Sequence, residues 1–364
     1  MSGIWRVALL CSLWALVALG AVENEVVSVE DLDDAFRQQR REAAAAFRVR
    51  YREVAGSLDA EYHAAARAGY EAARELMVAG QFRAARRSAR RTYRAYPFAH
   101  DAPRLAHLLM RLHAATGSPV EARRWLVDLW ERYPGYADIE QALNEALTAA
   151  VVLRDAGLTV DLMAEHPRDA LKVRDLGKVL AANSLFRFLS VHGDRQEHAP
   201  MALLGLARSL LAEGGRKKVF EARLAYDDFL LAYSQHPLVF DALIELAISH
   251  LVTYRGPRFD VGVIIDATHI IDQAELYTQE RPERVAIVSH YRRMIRGWHQ
   301  DRDFYAAEWY RDHRQWDAAR YYYEWVVRRD PASPQGQQAA TLIEGLPSDT
   351  IDEPRMRIKD WIRK

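Results

Sequence analysis

The chain has 364 residues, of which 27% are charged and 50% are apolar, and it contains 18 Gly, 13 Pro and one Cys. This balance excludes a disordered chain, a collagen, a disulfide-stapled scaffold and a membrane protein with many spans. Lys and Arg total 50 and Asp and Glu total 50, so the chain carries no global positive charge that could hold nucleic acid.

Residues 1–21 have the pattern of a secretory signal peptide. Arg6 supplies a positive charge, residues 7–19 form an apolar run without a charge, and the small residues Gly20 and Ala21 follow. The apolar run is shorter than the roughly 20 residues that a membrane span requires. We therefore expect cleavage after Gly20 or Ala21 and export from the cytoplasm, with an uncleaved signal anchor as the alternative.

The single cysteine does not indicate a lipoprotein. Cys11 is preceded by Leu10, whereas cleavage of a lipoprotein signal requires a small residue at that position, and the apolar run continues past it. Removal of the signal would leave no cysteine in the mature chain, so burial of apolar surface alone would have to stabilise it.

After Ser28 almost the whole chain is predicted to be helical, and the helices form a repeat. Each of four copies has a small residue, a bulkier residue soon after it, and a proline twelve positions beyond the small one. The small residues are Ala85, Ala122, Ala225 and Ala319, and the prolines are Pro97, Pro134, Pro237 and Pro331.

This pattern resembles the second helix of a tetratricopeptide repeat. A small Ala lets two antiparallel helices approach closely, a bulky side chain fills the space beside it, and Pro ends the helix. The other residues predicted to pack between helices are Ala73 and Ala307 in first helices and Phe229, Ala232 and Tyr323 in second helices. We therefore predict an all-α fold, a tetratricopeptide-like α-solenoid of antiparallel helix pairs whose concave face binds a segment of a partner protein.

The presence or absence of this pattern predicts the organisation of the chain. Residues 22–60 form a polar N-terminal helix, which either caps the array or makes a coiled-coil oligomer. The remaining segments are N-terminal repeats at 61–137, an irregular helical segment at 138–209 with breaks near Gly157, Pro167 and Gly193, C-terminal repeats at 210–346, and a polar tail at 347–364.

The C-terminal repeat is similar to the last repeat of the BamD-like outer-membrane assembly lipoproteins. The segment beginning Ala307-Glu308-Trp309-Tyr310 corresponds to an "A-E-[YF]-Y" helix, and Asp330-Pro331-Ala332-Ser333 matches the closing "Y-P-x-[ST]" pattern except that Asp stands for Tyr. The resemblance implies a periplasmic scaffold that helps to assemble β-barrel proteins in an outer membrane, with the assembly machinery and barrel precursors as partners. The alternatives are a periplasmic coordinator of cell-wall or division complexes, oligomerised by its N-terminal helix, and a membrane-tethered adaptor.

No catalytic or metal-binding motif is present in the sequence. It lacks a Walker A loop, G-x-G-x-x-G and G-x-S-x-G, and no two of its 13 His residues lie three or four positions apart, which excludes H-E-x-x-H. We therefore predict a protein that binds rather than catalyses, with no cofactor, no small-molecule substrate and no nucleic-acid partner.

Two surfaces are candidates for binding a partner. The first is an arginine-rich helix face that is either simply solvated or docks an acidic partner or anionic lipid headgroups. Its residues are Arg83, Arg86, Arg87, Arg90, Arg91 and Arg94. The second comprises Tyr321 and Tyr322, which precede Tyr323 and point in different directions around a helix, so they form either an interface or ordinary packing between repeats.

Overall fold

The computed structural model describes residues 29–259, 261–279 and 281–347, without the side chains of residues 29–37. The predicted signal peptide and all but the first residue of the predicted polar tail lie outside these residues. The described chain contains the α-helices α1 (Val29–Val54), α2 (Ala60–Val78), α3 (Phe82–Ala95), α4 (Ala102–Ala115), α5 (Pro119–Arg132), α6 (Ile139–Gly157), α7 (Leu176–His192), α8 (His198–Glu213), α9 (Arg216–Ala232), α10 (Val239–Leu251), α11 (Gly262–Glu275), α12 (Pro282–Asp312), α13 (Trp316–Arg329) and α14 (Pro334–Gly345). The strands β1 (Leu158–Val160) and β2 (Leu171–Val173) form one antiparallel ribbon.

The helices pack mainly against their neighbours in the chain, as an α-solenoid of helix pairs requires. Contacts join α2 to α3 and then follow the chain from α6 through α14, each helix touching the next. This arrangement confirms the predicted all-α fold class. The described residues divide into two compact units, residues 29–106 with 127–137 and residues 107–126 with 138–347, so the division passes through α4 and α5.

In the first unit, small side chains set the close packing of α2 against α3. Ala73 on α2 and Ala85 and Ala89 on α3 are fully buried, and a Cβ placed on Gly69 would lie 2.5 Å from the side chain of Thr92. The two helix axes can therefore approach only because these positions lack larger side chains.

The C-terminal half of α1 packs onto the first unit. Ala44 is buried, and the ring of Phe47 lies 5.2 Å from that of Phe98 and 5.6 Å from that of Tyr133. The guanidinium of Arg132 lies 5.1 Å from the centre of the Phe47 ring. This half of α1 thus covers apolar surface of its own unit, as a capping helix does.

Two hydrophobic cores described in the second unit share one helix. The larger core extends from the ribbon to the N-terminal half of α12 and includes Phe240 and Tyr291, both essentially inaccessible to water. The smaller core lies among the C-terminal half of α12, α13 and α14, where Ala307, Ala319 and Tyr323 are fully buried. A single helix, α12, therefore contributes to both cores.

The third copy of the repeat has a different register from the one predicted. Helices α3, α5 and α13 end two residues before Pro97, Pro134 and Pro331, whereas α9 ends at Ala232, five residues before Pro237. Pro237 therefore lies in the following turn and does not end the helix. In that turn the backbone N–H of Leu238 donates to the ring of His236.

Counted back from the end of α9, the small packing residue is Ala222 rather than Ala225. Ala222 is fully buried, as are Tyr226 and Phe229, which follow it at the spacing of the other copies. Ala225 is also buried, one turn later. Ala232, which we expected to pack between helices, is exposed at the C-terminal end of α9, because the helix stops before another element can cover it.

The irregular segment contains a ribbon where only helices were predicted. Strands β1 and β2 pair in antiparallel register, with Leu158 opposite Val173 and Val160 opposite Leu171. Backbone of Asp175 passes so close to Gly157 that a Cβ there would lie 2.5 Å from the Asp175 carbonyl oxygen. The β-branched residues in this short stretch favour strands over helix, and the chain leaves α6 at Gly157.

Candidate functional site

An open cavity of about 1270 Å³ lies in the second unit. It is bounded by the end of α8, the first two turns of α9, the end of α10 and the chain that leads to α11, with Arg168 contributed from beside the ribbon. We call it the cationic groove, because its charged lining residues are Arg168, Arg216, Lys217, Arg223 and Arg255. No Asp or Glu occurs among the described lining residues.

Four of these cations are exposed. Among the described residues, the side chains of Arg168, Arg216, Lys217 and Arg255 make no hydrogen bond and no ion pair at contact distance, although the charge of Lys217 acts on Glu221 from farther away. These cations raise the positive potential in the groove.

Arg223 lies deeper and is fixed by neutral groups. Its Nη2 donates to the carbonyl oxygen of Ser249 at 2.6 Å and to the hydroxyl of Thr253 at 2.9 Å. Burial lowers the pKa of Arg223, while the carboxylates of Asp266 and Asp227 act in the opposite direction without contacting it. The guanidinium is thus held in a set orientation with its charge available to the groove.

The N-terminus of α9 adds to the positive potential. Gly214 and Gly215 have φ values of +74° and +77°, a conformation that favours glycine, and Gly215 provides no side-chain cap. The first turn carries no acidic residue and begins Arg216-Lys217. Cations at this end of a helix oppose the helix dipole, so a bound anion would relieve an unfavourable arrangement.

The lining of the groove also includes apolar and aromatic side chains. Leu211 and Ile248 are buried lining residues, whereas Phe220 and Phe259 are 59% and 54% exposed. Large exposed aromatic rings of this kind are common in protein interfaces. The groove therefore combines aromatic contacts with a concentration of cations.

One helical turn below the groove, a buried ion pair and a tyrosine connect α8, α9 and α10. Arg208 on α8 donates from Nε to both carboxylate oxygens of Glu245 on α10, at 2.7 and 2.8 Å. Tyr226 on α9 donates to the same carboxylate at 2.9 Å. Burial opposes the charge of Arg208, but the attraction of Glu245 raises the pKa of Arg208 above its ordinary value.

His250 lies near the end of α10, between the groove-lining residues Ile248 and Val252 in the chain. Its Nδ1 is 3.4 Å from the carboxylate of Asp266. Burial and, to a smaller extent, the charge of Arg223 lower the pKa of His250, Asp266 opposes them, and the resulting pKa is about 4. The ring is therefore neutral at pH 7 and does not add to the cations of the groove.

The structure places the predicted packing alanines inside and the predicted binding residues on the surface. Ala122 and the alanines named above are buried, except Ala232. The arginine-rich face of α3 is solvent-accessible, with Arg83, Arg87, Arg91 and Arg94 exposed and Arg86 and Arg90 half-buried. Tyr321 is exposed, whereas Tyr322 is half-buried and stacks on Tyr310 at 5.4 Å.

The cationic groove was not predicted from the sequence. Its cations come from separate elements between positions 168 and 255, and no periodic pattern connects them. The one local signal is the segment Gly214-Gly215-Arg216-Lys217-Lys218, which places a flexible pair of residues directly before a positive helix start.

Among the helices that the structure describes, none combines the length and the apolar character needed to span a bilayer. Over the same residues, no three His, Asp or Glu side chains converge in a way that could hold a metal ion. In comparisons with known proteins, no family model matches the chain and no curated protein is detectably similar to it in sequence.

Proposed function

We propose that the protein is a non-catalytic tetratricopeptide-like scaffold that binds an acidic segment of a partner polypeptide in the cationic groove. The observation that carries this proposal is the charge of the lining, which has five cations and no described carboxylate. Such an arrangement attracts anionic groups and repels cationic ones.

The size and chemistry of the groove favour a polypeptide over a small molecule. A cavity of about 1270 Å³ exceeds the roughly 300–1,000 Å³ that is common for small-molecule sites. The exposed rings of Phe220 and Phe259 offer apolar contacts beside the cations. A segment in which Asp or Glu alternates with apolar residues would use both features.

The cellular part of the proposal rests on the sequence. The signal-like pattern of residues 1–21 supports export to a periplasm, and the likeness of the C-terminal repeat to BamD-like proteins supports a role in assembling outer-membrane β-barrel proteins. The packing of α1 onto its own unit through Phe47 favours a capping role for that helix over oligomerisation.

The binding function is tested with two labelled peptides of equal length and opposite charge. One alternates Glu with Leu and Phe, and the other has Lys in place of Glu. Fluorescence anisotropy with the purified chain should detect binding of the acidic peptide, weaker at high salt because ions screen the attraction. Equal affinity for both peptides would contradict the proposal.

The location of the site is tested by charge reversal. Arg216→Glu with Lys217→Glu changes two exposed groove cations that make no ion pair at contact distance with a described residue, and should weaken binding of the acidic peptide about tenfold or more. The matched control is Arg195→Glu with Arg293→Glu, two exposed cations of the same unit outside the groove lining. Thermal unfolding shows whether both variants are folded, and an equal effect of the two pairs would exclude the groove as the site.

The cellular role needs a separate experiment. Tagged protein is purified from native envelopes as wild type, groove variant and control variant, and its mature N-terminus is sequenced. Barrel-assembly components that co-elute with the wild type and the control, but not with the groove variant, would support the assembly role. Peptide binding without those components would leave the scaffold function and remove the assembly role.

A further inference from the structure

The second helix of the first unit's repeat, α3, carries an unusual concentration of charge of one sign. Six of its fourteen residues are Arg, and none is Asp or Glu. Since successive residues of an α-helix are about 100° apart, the six arginines fall within an arc of about 140° and extend for about 16 Å along the axis. We call Arg83, Arg86, Arg87, Arg90, Arg91 and Arg94 the arginine stripe. Ala85, Ala89 and Thr92 occupy the opposite, buried face.

Most arginines of the stripe lack the carboxylate partners that some other arginines of the unit have in the described structure. Arg40 pairs with Asp128 at 3.1 Å and Arg74 with Glu71 at 3.0 Å. By contrast, five stripe arginines, all except Arg90, have no side-chain hydrogen bond or ion pair with a described residue. These guanidinium groups are therefore available to an external anionic partner.

Exposed apolar side chains stand at one end of the stripe. Val78 at the end of α2 is 81% exposed and Phe82 at the start of α3 is 38% exposed. The turn between them contains Gly80 with a φ of +73°, which reverses the chain within a few residues. Phe82 lies one helical turn before Arg86, so apolar and cationic groups are adjacent on the surface.

We propose that the arginine stripe, together with Val78 and Phe82, docks the first unit on a membrane surface rich in anionic phospholipids. Each exposed guanidinium can bind phosphate oxygens in a bidentate manner, and a row of cations on a helix face suits an array of headgroups better than a single peptide in a cleft. Apolar side chains beside the cations can enter the boundary between headgroups and acyl chains. This inference is independent of the cationic groove, which lies in the other unit.

The test is flotation of the full chain with vesicles of phosphatidylcholine alone and of phosphatidylcholine mixed with phosphatidylglycerol. We expect binding only to the mixed vesicles, and weaker binding at high salt. Each cation near an anionic surface contributes a factor of about five in partitioning. Arg87→Glu with Arg91→Glu should therefore lower partitioning about 25-fold or more.

A matched control separates the stripe from net charge. Arg41→Glu with Arg52→Glu changes two exposed arginines of α1 in the same unit by the same amount, and should leave flotation near that of the wild type. Phe82→Ser should reduce binding to mixed vesicles if the ring enters the membrane. Thermal unfolding of each variant confirms that it is folded.

Three outcomes would overturn the proposal. The first is equal flotation with the two kinds of vesicle, and the second is an equal loss with the stripe and control pairs. The third is no vesicle binding, together with binding of an acidic peptide that the stripe variant abolishes, which would assign the stripe to a protein partner. Stripe variants should still bind the acidic peptide in the groove, and groove variants should still float, so this proposal and the scaffold function fail separately.

Discussion

Replacement of Glu245 with Gln tests whether a buried charge holds together the helices that form the cationic groove. Glu245 on α10 is fully buried. Its carboxylate accepts hydrogen bonds from Arg208 on α8 and from Tyr226 on α9. Gln has nearly the same shape but no charge, so the change removes the electrostatic attraction while it leaves the packing almost intact.

The expected loss of stability follows from the burial of the two partners. Removal of one partner of a buried ion pair costs about 3–5 kcal/mol, because the other charge stays buried without compensation. The side chain of Arg208 is 18% exposed, so water can partly solvate it after the change. We therefore expect Glu245→Gln to lower the free energy of unfolding by about 3 kcal/mol, the lower end of that range.

Urea denaturation followed by circular dichroism measures this loss, and a double-mutant cycle identifies its cause. With Arg208→Met in the background, the same Glu245→Gln change should cost much less or even stabilise the chain, because it then removes an unpaired buried charge. A loss below about 1 kcal/mol, or the same loss in both backgrounds, would show that the pair does not support the groove.

Two further predictions concern pH and repeat packing. The pKa of His250 in the folded chain is about 4, below the ordinary value of 6.5. The neutral ring therefore contributes its full share of stability above pH 6.5. This contribution, at most about 3 kcal/mol, is lost as the pH falls toward 4, because the unfolded chain takes up the proton first. Urea denaturation across this range should show a flatter pH dependence for His250→Asn, and an unchanged slope would contradict the assignment. Ala222→Trp should cost about 1–3 kcal/mol because the site is fully packed, whereas Ala232→Trp on the same helix should change stability by less than about 0.5 kcal/mol; equal effects would show that the register of α9 is wrong.

The helical architecture could be predicted from the sequence because its signals are local. Apolar residues at three- and four-residue steps predict a helix directly, and small residues such as Ala85 and Ala319 mark where two helices meet. The breaks at Gly157, Pro167 and Gly193 were also visible, because Gly and Pro act on the backbone of their own residue.

The register of α9 could not be read in the same way. Ala222 and Ala225 lie one turn apart and both are buried, so either could be the small residue of the repeat. The choice depends on where the helix ends, and the turn that contains His236 and Pro237 ends it earlier than the proline spacing suggests. That turn is held by hydrogen bonds from Leu238 to the ring of His236 and from Arg284 to the carbonyl oxygen of Pro237, which the repeat pattern does not encode.

The cationic groove was hidden for a related reason. Arg168, Arg216 and Arg255 lie in three different parts of the chain, and only tertiary packing brings them to one cavity. An arginine-rich composition makes each of them unremarkable in the sequence, whereas the arginine stripe could be predicted because its members follow the period of one helix.

Because the long helix α12 contributes to two cores, α13 and α14 can unfold without the helices that form the groove. Val288 and Ile295 anchor its first half in the larger core, and Ala307 anchors its second half in the smaller one. Detachment of α13 and α14 would therefore expose Ala307 to solvent and leave the residues around Tyr291 packed. We therefore expect α13 and α14 to exchange their amide hydrogens, or to be cut by a protease, while the core beside the cationic groove stays folded.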